Sequence, residues 1–141
     1  MPHSTTPAKI LFSGNATLNA ISNATSIVAT GSGSGLPGAI DLGAGTRTLT
    51  VGNGGADVDL SFNVPISNGG LAKAGLGTLL LTLPSTYAGG TTVSAGRLLL
   101  SNTSGSGTGS GAVTVNGGTL GGTGRITGAV TVNSAGTIAP G

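Results

Sequence analysis

The chain repeats one phrase. "TTVSAGRLLLS" (91–101) is followed by "VTVNGGTLGGT" (113–123) and "VTVNSAGTIAPG" (130–141), and "TLTVGNGGADVDL" (48–60) precedes them in the same cadence. Each copy has a Thr-Val step, a small polar turn and then an aliphatic residue. Anchoring on Val28, Val51, Val93, Val115 and Val132 gives intervals of 23, 42, 22 and 17 residues. The interval of 42 spans two periods, with the missing rung expected near Leu71 in "GGLAKAG". A repeat of about 20 residues limits the choice of fold sharply, because so short a unit cannot bury an apolar face alone and must stack on its neighbours.

Within each unit the hydrophobic period is two. "DVDLSFNV" (57–64) sets Val58, Leu60, Phe62 and Val64 on one side, with Asp57, Asp59, Ser61 and Asn63 on the other. "AIDL" (39–42), "TLLLTL" (78–83) and the two "AVTV" segments (112–115 and 129–132) alternate likewise. Strict alternation predicts half-buried strands, and the frequent Gly pairs would break helices. A β-sandwich also has many short strands, but it has no need of a repeated phrase. The expected fold is therefore all-β: a β-solenoid of about six coils, each of roughly 20 residues. Val, Leu and Ile would stack inward as ladders, and Gly and Asn would turn the corners. Residues 13–141 are expected to form this single domain, with 1–12 a leader that is extended or contacts a partner.

Composition narrows the function. With 29 Gly, 21 Thr and 15 Ser, three residue types make up almost half the chain, and only 6% of residues are charged. Disorder is a poor account, since it favours low hydropathy with high net charge, whereas mean hydropathy is +0.36 and formal charge +2. Lys9, Arg47, Lys73, Arg97 and Arg125 are scattered and lack aromatic partners, so no nucleic-acid footprint is expected. No apolar run is long enough to span a membrane. The absence of Cys excludes disulfides, thiolate metal sites and cysteine nucleophiles, and suits an extracellular protein. "MPHSTTPAKILF" lacks the pattern of a signal peptide.

Candidate chemistry is sparse. "GSGLPG" (33–38) matches G-x-G-x-x-G, but a strand rather than a helix follows it, so no phosphate site is expected. "GGADVDLS" (54–61) resembles a single copy of a Ca²⁺-binding nonapeptide. Asp57 and Asp59, joined by Asp41 from a neighbouring coil, are the candidate ligands for a hard cation, against the simpler reading of solvated carboxylates. His3 is the single histidine and there is no Glu, which leaves no material for a catalytic triad or a carboxylate pair. No enzyme activity and no cofactor are expected. Tyr87 is either a sugar-stacking platform or local packing. The sequons at Asn15, Asn23 and Asn102 mark expected surface positions.

Residues 68–141 closely resemble the autotransporter-associated β-strand repeat, also called the passenger-associated transport repeat. The resemblance rests on "GGLAKAGLGTLLL" (69–81), "TYAGGTTVSAGRL" (86–98), "GAVTVNGGTLGGTG" (111–124) and "GTIAPG" (136–141), with "GAIDLGAGTRTLTVG" (38–52) extending it forward. It implies a right-handed parallel β-helix on the outside of a bacterium, serving as a stalk or scaffold. Nothing in the chain resembles the membrane barrel of that family, so a passenger segment, or a small protein of passenger-like repeats, is expected. The location would be secreted or on the cell surface. The expected function is structural, with copies of the chain as partners through end-to-end fibres. Lateral association through Leu80 and Leu99, which break the alternation in "TLLLTL" and "RLLLS", would add to it. The alternative is an adhesive module that binds glycans.

Overall fold

A computed structural model describes residues 9–19, 38–141 and the backbone of 26–29. Thirteen strands and no helix occur among them. One face of the coil is built from β2 (Ala16–Leu18), β5 (Thr46–Val51), β8 (Gly70–Ala74) and β10 (Thr91–Val93). A second face carries β3 (Ser26–Ala29), β6 (Leu60–Asn63), β9 (Thr78–Leu81) and β11 (Arg97–Leu100). The last two strands, β12 (Val113–Gly122) and β13 (Val130–Pro140), are long enough to bend round a corner and serve both faces. The third side begins with β1 (Lys9–Leu11), β4 (Ala39–Asp41) and β7 (Ile66–Ser67). Irregular segments continue it: Thr86 N–H donates to Ile66 O at 2.9 Å, and Ser85 N–H to Ser106 O at 2.8 Å. Every strand pair is parallel. The chain is a β-solenoid.

The register shows why the phrase repeats. Ala16, Leu49, Lys73, Val93, Val115 and Val132 are successive partners, at steps of 33, 24, 20, 22 and 17 residues. On the second face Leu60, Leu79, Leu98, Leu120 and Ile138 form one column, and Phe62, Leu81 and Leu100 another. Leu79, Val93, Leu98, Val113 and Val115 are fully buried. Burial of each such side chain contributes roughly 1.5–3 kcal/mol. The copies exist to place like residues above like.

The coil corners need backbone that only glycine adopts readily. Gly96, after Val93 on β10, has φ +65°, and a Cβ there would collide with the carbonyl oxygens of Gly75 and Gly77 in the coil below. The "SAG" of the repeat is thus a corner. At the equivalent corner of β12, the register with β13 shifts between Val115 and Gly117.

The register adds detail to three of these readings. The strand near Leu71 does supply the missing rung, but its residue in line with Val93 is Lys73. Val28 is no counterpart of Val51: it pairs with Phe62 on the second face, while Val51 pairs with Leu18 on the first. The first coil is long, so a spacing of 23 there joins different faces. Finally, the solenoid already includes Lys9–Leu11, which pair with Ala39–Asp41, inside the segment expected to be a leader.

Candidate functional site

The three aspartates occupy different environments. Asp41 lies on the third side, 6% exposed, where it accepts from Gly43 N–H at 2.8 Å and Asn68 Nδ2 at 3.0 Å, and pairs with Lys9 Nζ at 3.0 Å. The Asn68 amide, then the Gly43 N–H, then Lys9 hold its carboxyl down at about 2. Asp59 is buried and accepts from Gly54 N–H at 2.7 Å and Thr78 N–H at 2.8 Å. Asp57 is exposed. The expectation that Asp57 and Asp59 share one face of a strand fails, because β6 starts only at Leu60 and both precede it in a bend. No group of three potential metal-ligating side chains forms among the described residues. Asp59 spends its lone pairs on two backbone amides, and Asp41 on the Gly43 amide, the Asn68 side chain and Lys9, tying turns to the coil.

Lys73 is the feature that sequence reasoning missed. It stands fully buried in the inward column between Leu49 and Val93. Its ammonium donates to Ala74 O and Gly75 O, each at 2.9 Å, and to Ala95 O at 3.3 Å in the coil above. Burial pulls its pKa down to about 8, opposed by the negative charge of Asp59. A donor was needed where two successive corners turn their carbonyls inward, and the long side chain reaches them. The sequence signal was a cation at a position where the repeat places Val or Leu.

Tyr87 is completely buried, and its hydroxyl is 2.6 Å from Thr91 Oγ1. Desolvation pushes its pKa well above the usual phenol value. The ring is core packing and presents no face to a sugar. Asn102 corrects the reading of its sequon as a surface position: it is 2% exposed. Its Nδ2 donates to Ser104 O at 3.0 Å and Arg125 O at 3.2 Å, while Oδ1 accepts from Arg125 N–H at 3.1 Å. Asn15 is exposed and accepts from Thr48 N–H at 2.9 Å. His3, Asn23 and residues 33–37 of "GSGLPG" lie outside the described residues.

Two apolar surfaces remain. Leu80 and Leu99 are direct partners in the β9–β11 ladder, half-buried on the outer side between Ser61 and Gly121. The other lies along β13. Val113, Val115 and Leu120 are buried, but their partners one rung on, Val130, Val132 and Ile138, are 40%, 40% and 47% exposed. A hollow of about 240 Å³ opens there, between Leu100, Leu120, Ile126 and Ile138.

Comparison with known proteins finds a family match in one part of the chain. The model of the passenger-associated transport repeat matches residues 71–100, from within β8 to the end of β11. The match is to that repeat and covers 30 of the 141 residues. Over 83 residues, 56% of the chain, it is also 41% identical to an adhesin autotransporter, BmaC, of Brucella suis biovar 1 (strain 1330). The chain spans 2% of that protein's length. No solved structure matches the chain. A secreted or cell-surface location follows from that similarity. No helix among the described residues is long and apolar enough to cross a membrane.

Proposed function

We propose that this chain is a non-enzymatic structural segment of an extracellular passenger, a β-helical shaft whose copies associate end to end into fibres. The observation that carries the reading is the stacking of like apolar residues in unbroken inward columns, each coil covering its neighbour, so that any uncovered rung presents apolar surface. Stacking one more apolar layer on Val130, Val132 and Ile138 would remove that surface from water, which favours association. Few charges oppose it, since only 6% of residues carry one. The Leu80–Leu99 ladder offers a second, lateral contact between rods. Light scattering across a range of concentrations, with electron microscopy of the same samples, tests the proposal. Rods longer than one chain are expected, and a monomer at every concentration would reject self-association.

An adhesive role is the second reading, favoured by the adhesin relative. The outward column Thr48, Ala72, Thr92, Thr114 and Thr131 lays out small, uncharged groups at strand spacing on one face. A glycan array comparing the chain with a Thr92→Lys, Thr114→Glu variant separates the readings. Binding lost in the variant supports adhesion through this face, and a blank array supports the structural role alone.

A further inference from the structure

Asn-Gly steps occur at 53–54, 68–69 and 116–117 among the described residues. Asparagine before glycine carries the means to modify itself. The glycine nitrogen attacks the asparagine Cγ, the Cγ–Nδ2 bond breaks, and ammonia leaves with the amide proton as a succinimide ring closes. Water then opens the ring at either carbonyl, giving aspartate or, with one more atom in the backbone, isoaspartate. Glycine suits the step because it has no Cβ to hinder its nitrogen and its backbone turns most freely. All three asparagine side chains are exposed, so access to water does not separate them.

Hydrogen bonding does separate them. At Asn53 the attacking nitrogen is held: Gly54 N–H donates to the buried Asp59 carboxylate at 2.7 Å, which Thr78 N–H fixes in turn at 2.8 Å. At Asn68 the carboxamide is held: Nδ2 donates to Asp41 Oδ1 at 3.0 Å, on left-handed backbone with φ +58°. At Asn116 the hydrogen bond is of the opposite kind. Asn133 Nδ2 donates to Asn116 Oδ1 at 2.6 Å, so it points at the oxygen on which negative charge develops during the attack. The ladder is also interrupted here. From Val115 to Gly117 β12 advances two residues while β13 advances three, from Val132 to Ala135, which leaves Asn116 without a single register partner.

We infer that Asn116–Gly117 is a self-modifying site, at which Asn133 polarises the Asn116 carboxamide and the residue converts to aspartate and isoaspartate. The reaction takes water as its one co-reactant. It requires no second copy, and so goes beyond the role of the chain as shaft or adhesin. The product places a carboxylate at the corner between the two faces, where the Asn133 amide can still donate to it, now in a charge-assisted bond. In a chain with three acidic residues, that adds a further negative charge.

The test is to incubate the purified chain in mildly alkaline buffer, folded and in urea, and follow each site by tryptic digestion and fragment mass spectrometry. Cleavage at Arg47 and Lys73 releases Asn53 and Asn68 together, and cleavage at Arg97 and Arg125 releases Asn116. In urea the three Asn-Gly steps should react at similar rates. In the folded chain Asn116 should react roughly tenfold or more faster than the other two, because theirs must first break hydrogen bonds to carboxylates. Asn133→Ala and the isosteric Asn133→Asp, with circular dichroism to verify the fold, should each slow Asn116 roughly three- to tenfold, the worth of one hydrogen bond. Neither should change its rate in urea. If folded Asn116 reacts no faster than Asn53 and Asn68, or if it keeps its rate in both folded variants, the inference is overturned.

Discussion

The ammonium of Lys73 lies 2.9 Å from the carbonyl oxygen of Gly75, inside a coil that otherwise stacks aliphatic residues at that position. An amine with its pKa at about 8 in the fold, against 10.5 when unfolded, binds fewer protons folded than unfolded between those values. Stability must then rise with pH across that window and level off above it. The gain should be on the order of 1–3 kcal/mol, measured as the thermal midpoint between pH 7.5 and 10.5. Lys73→Met should remove the rise, and an unchanged slope in that variant would show that another group titrates.

The same Gly75 oxygen limits what can sit at Gly96. A side chain there would meet the Gly75 and Gly77 carbonyls and would have to hold φ at +65°. Gly96→Ala should cost at least about 1–3 kcal/mol. Ser94→Ala, at its exposed neighbour in the same corner, is the comparison and should change the urea midpoint little.

Leu98 and Leu99 are adjacent but point to opposite sides of the coil. Leu98 is fully buried, so Leu98→Ala should destabilise by roughly 2–5 kcal/mol. Leu99 is half-buried against Leu80, and Leu99→Thr should cost less than about 1 kcal/mol while keeping strand propensity. If Leu80 and Leu99 join rods sideways, the double Thr variant should thin bundles to single rods under the electron microscope. Unchanged bundling would remove them from the interface.

Acid should loosen the start of the coil. Asp41 has its carboxyl lowered to about 2 from 3.8, so its contribution is complete above about pH 4 and is lost as pH falls through 2. Asp41→Asn should flatten the thermal midpoint between pH 5 and 2. Since Asp41 binds Lys9, Gly43 and Asn68, hydrogen exchange in acid should increase first around 39–43.

Asn102 serves a loop as Lys73 serves a corner. Its amide makes contacts to Ser104, Gly105 and Arg125. Asn102→Ala should cost roughly 1–3 kcal/mol by leaving buried backbone groups unpaired, readable as a lower urea midpoint.

The repeated Thr-Val step, the period-two alternation and the Gly corners determined the class of fold by themselves. Stacking like residues is a local rule that each copy states in full, so Leu79, Leu98 and Val115 were legible as core without coordinates. The register was not. Spacing counts residues without knowing which face they reach, and a long first coil put Val28 on the second face while its interval suggested the first. Nor could the sequence tell which polar residues go inside. Lys73, Asn102 and Asp59 are buried because carbonyls and amides from separate segments converge on them, and that convergence exists only once the chain is wound.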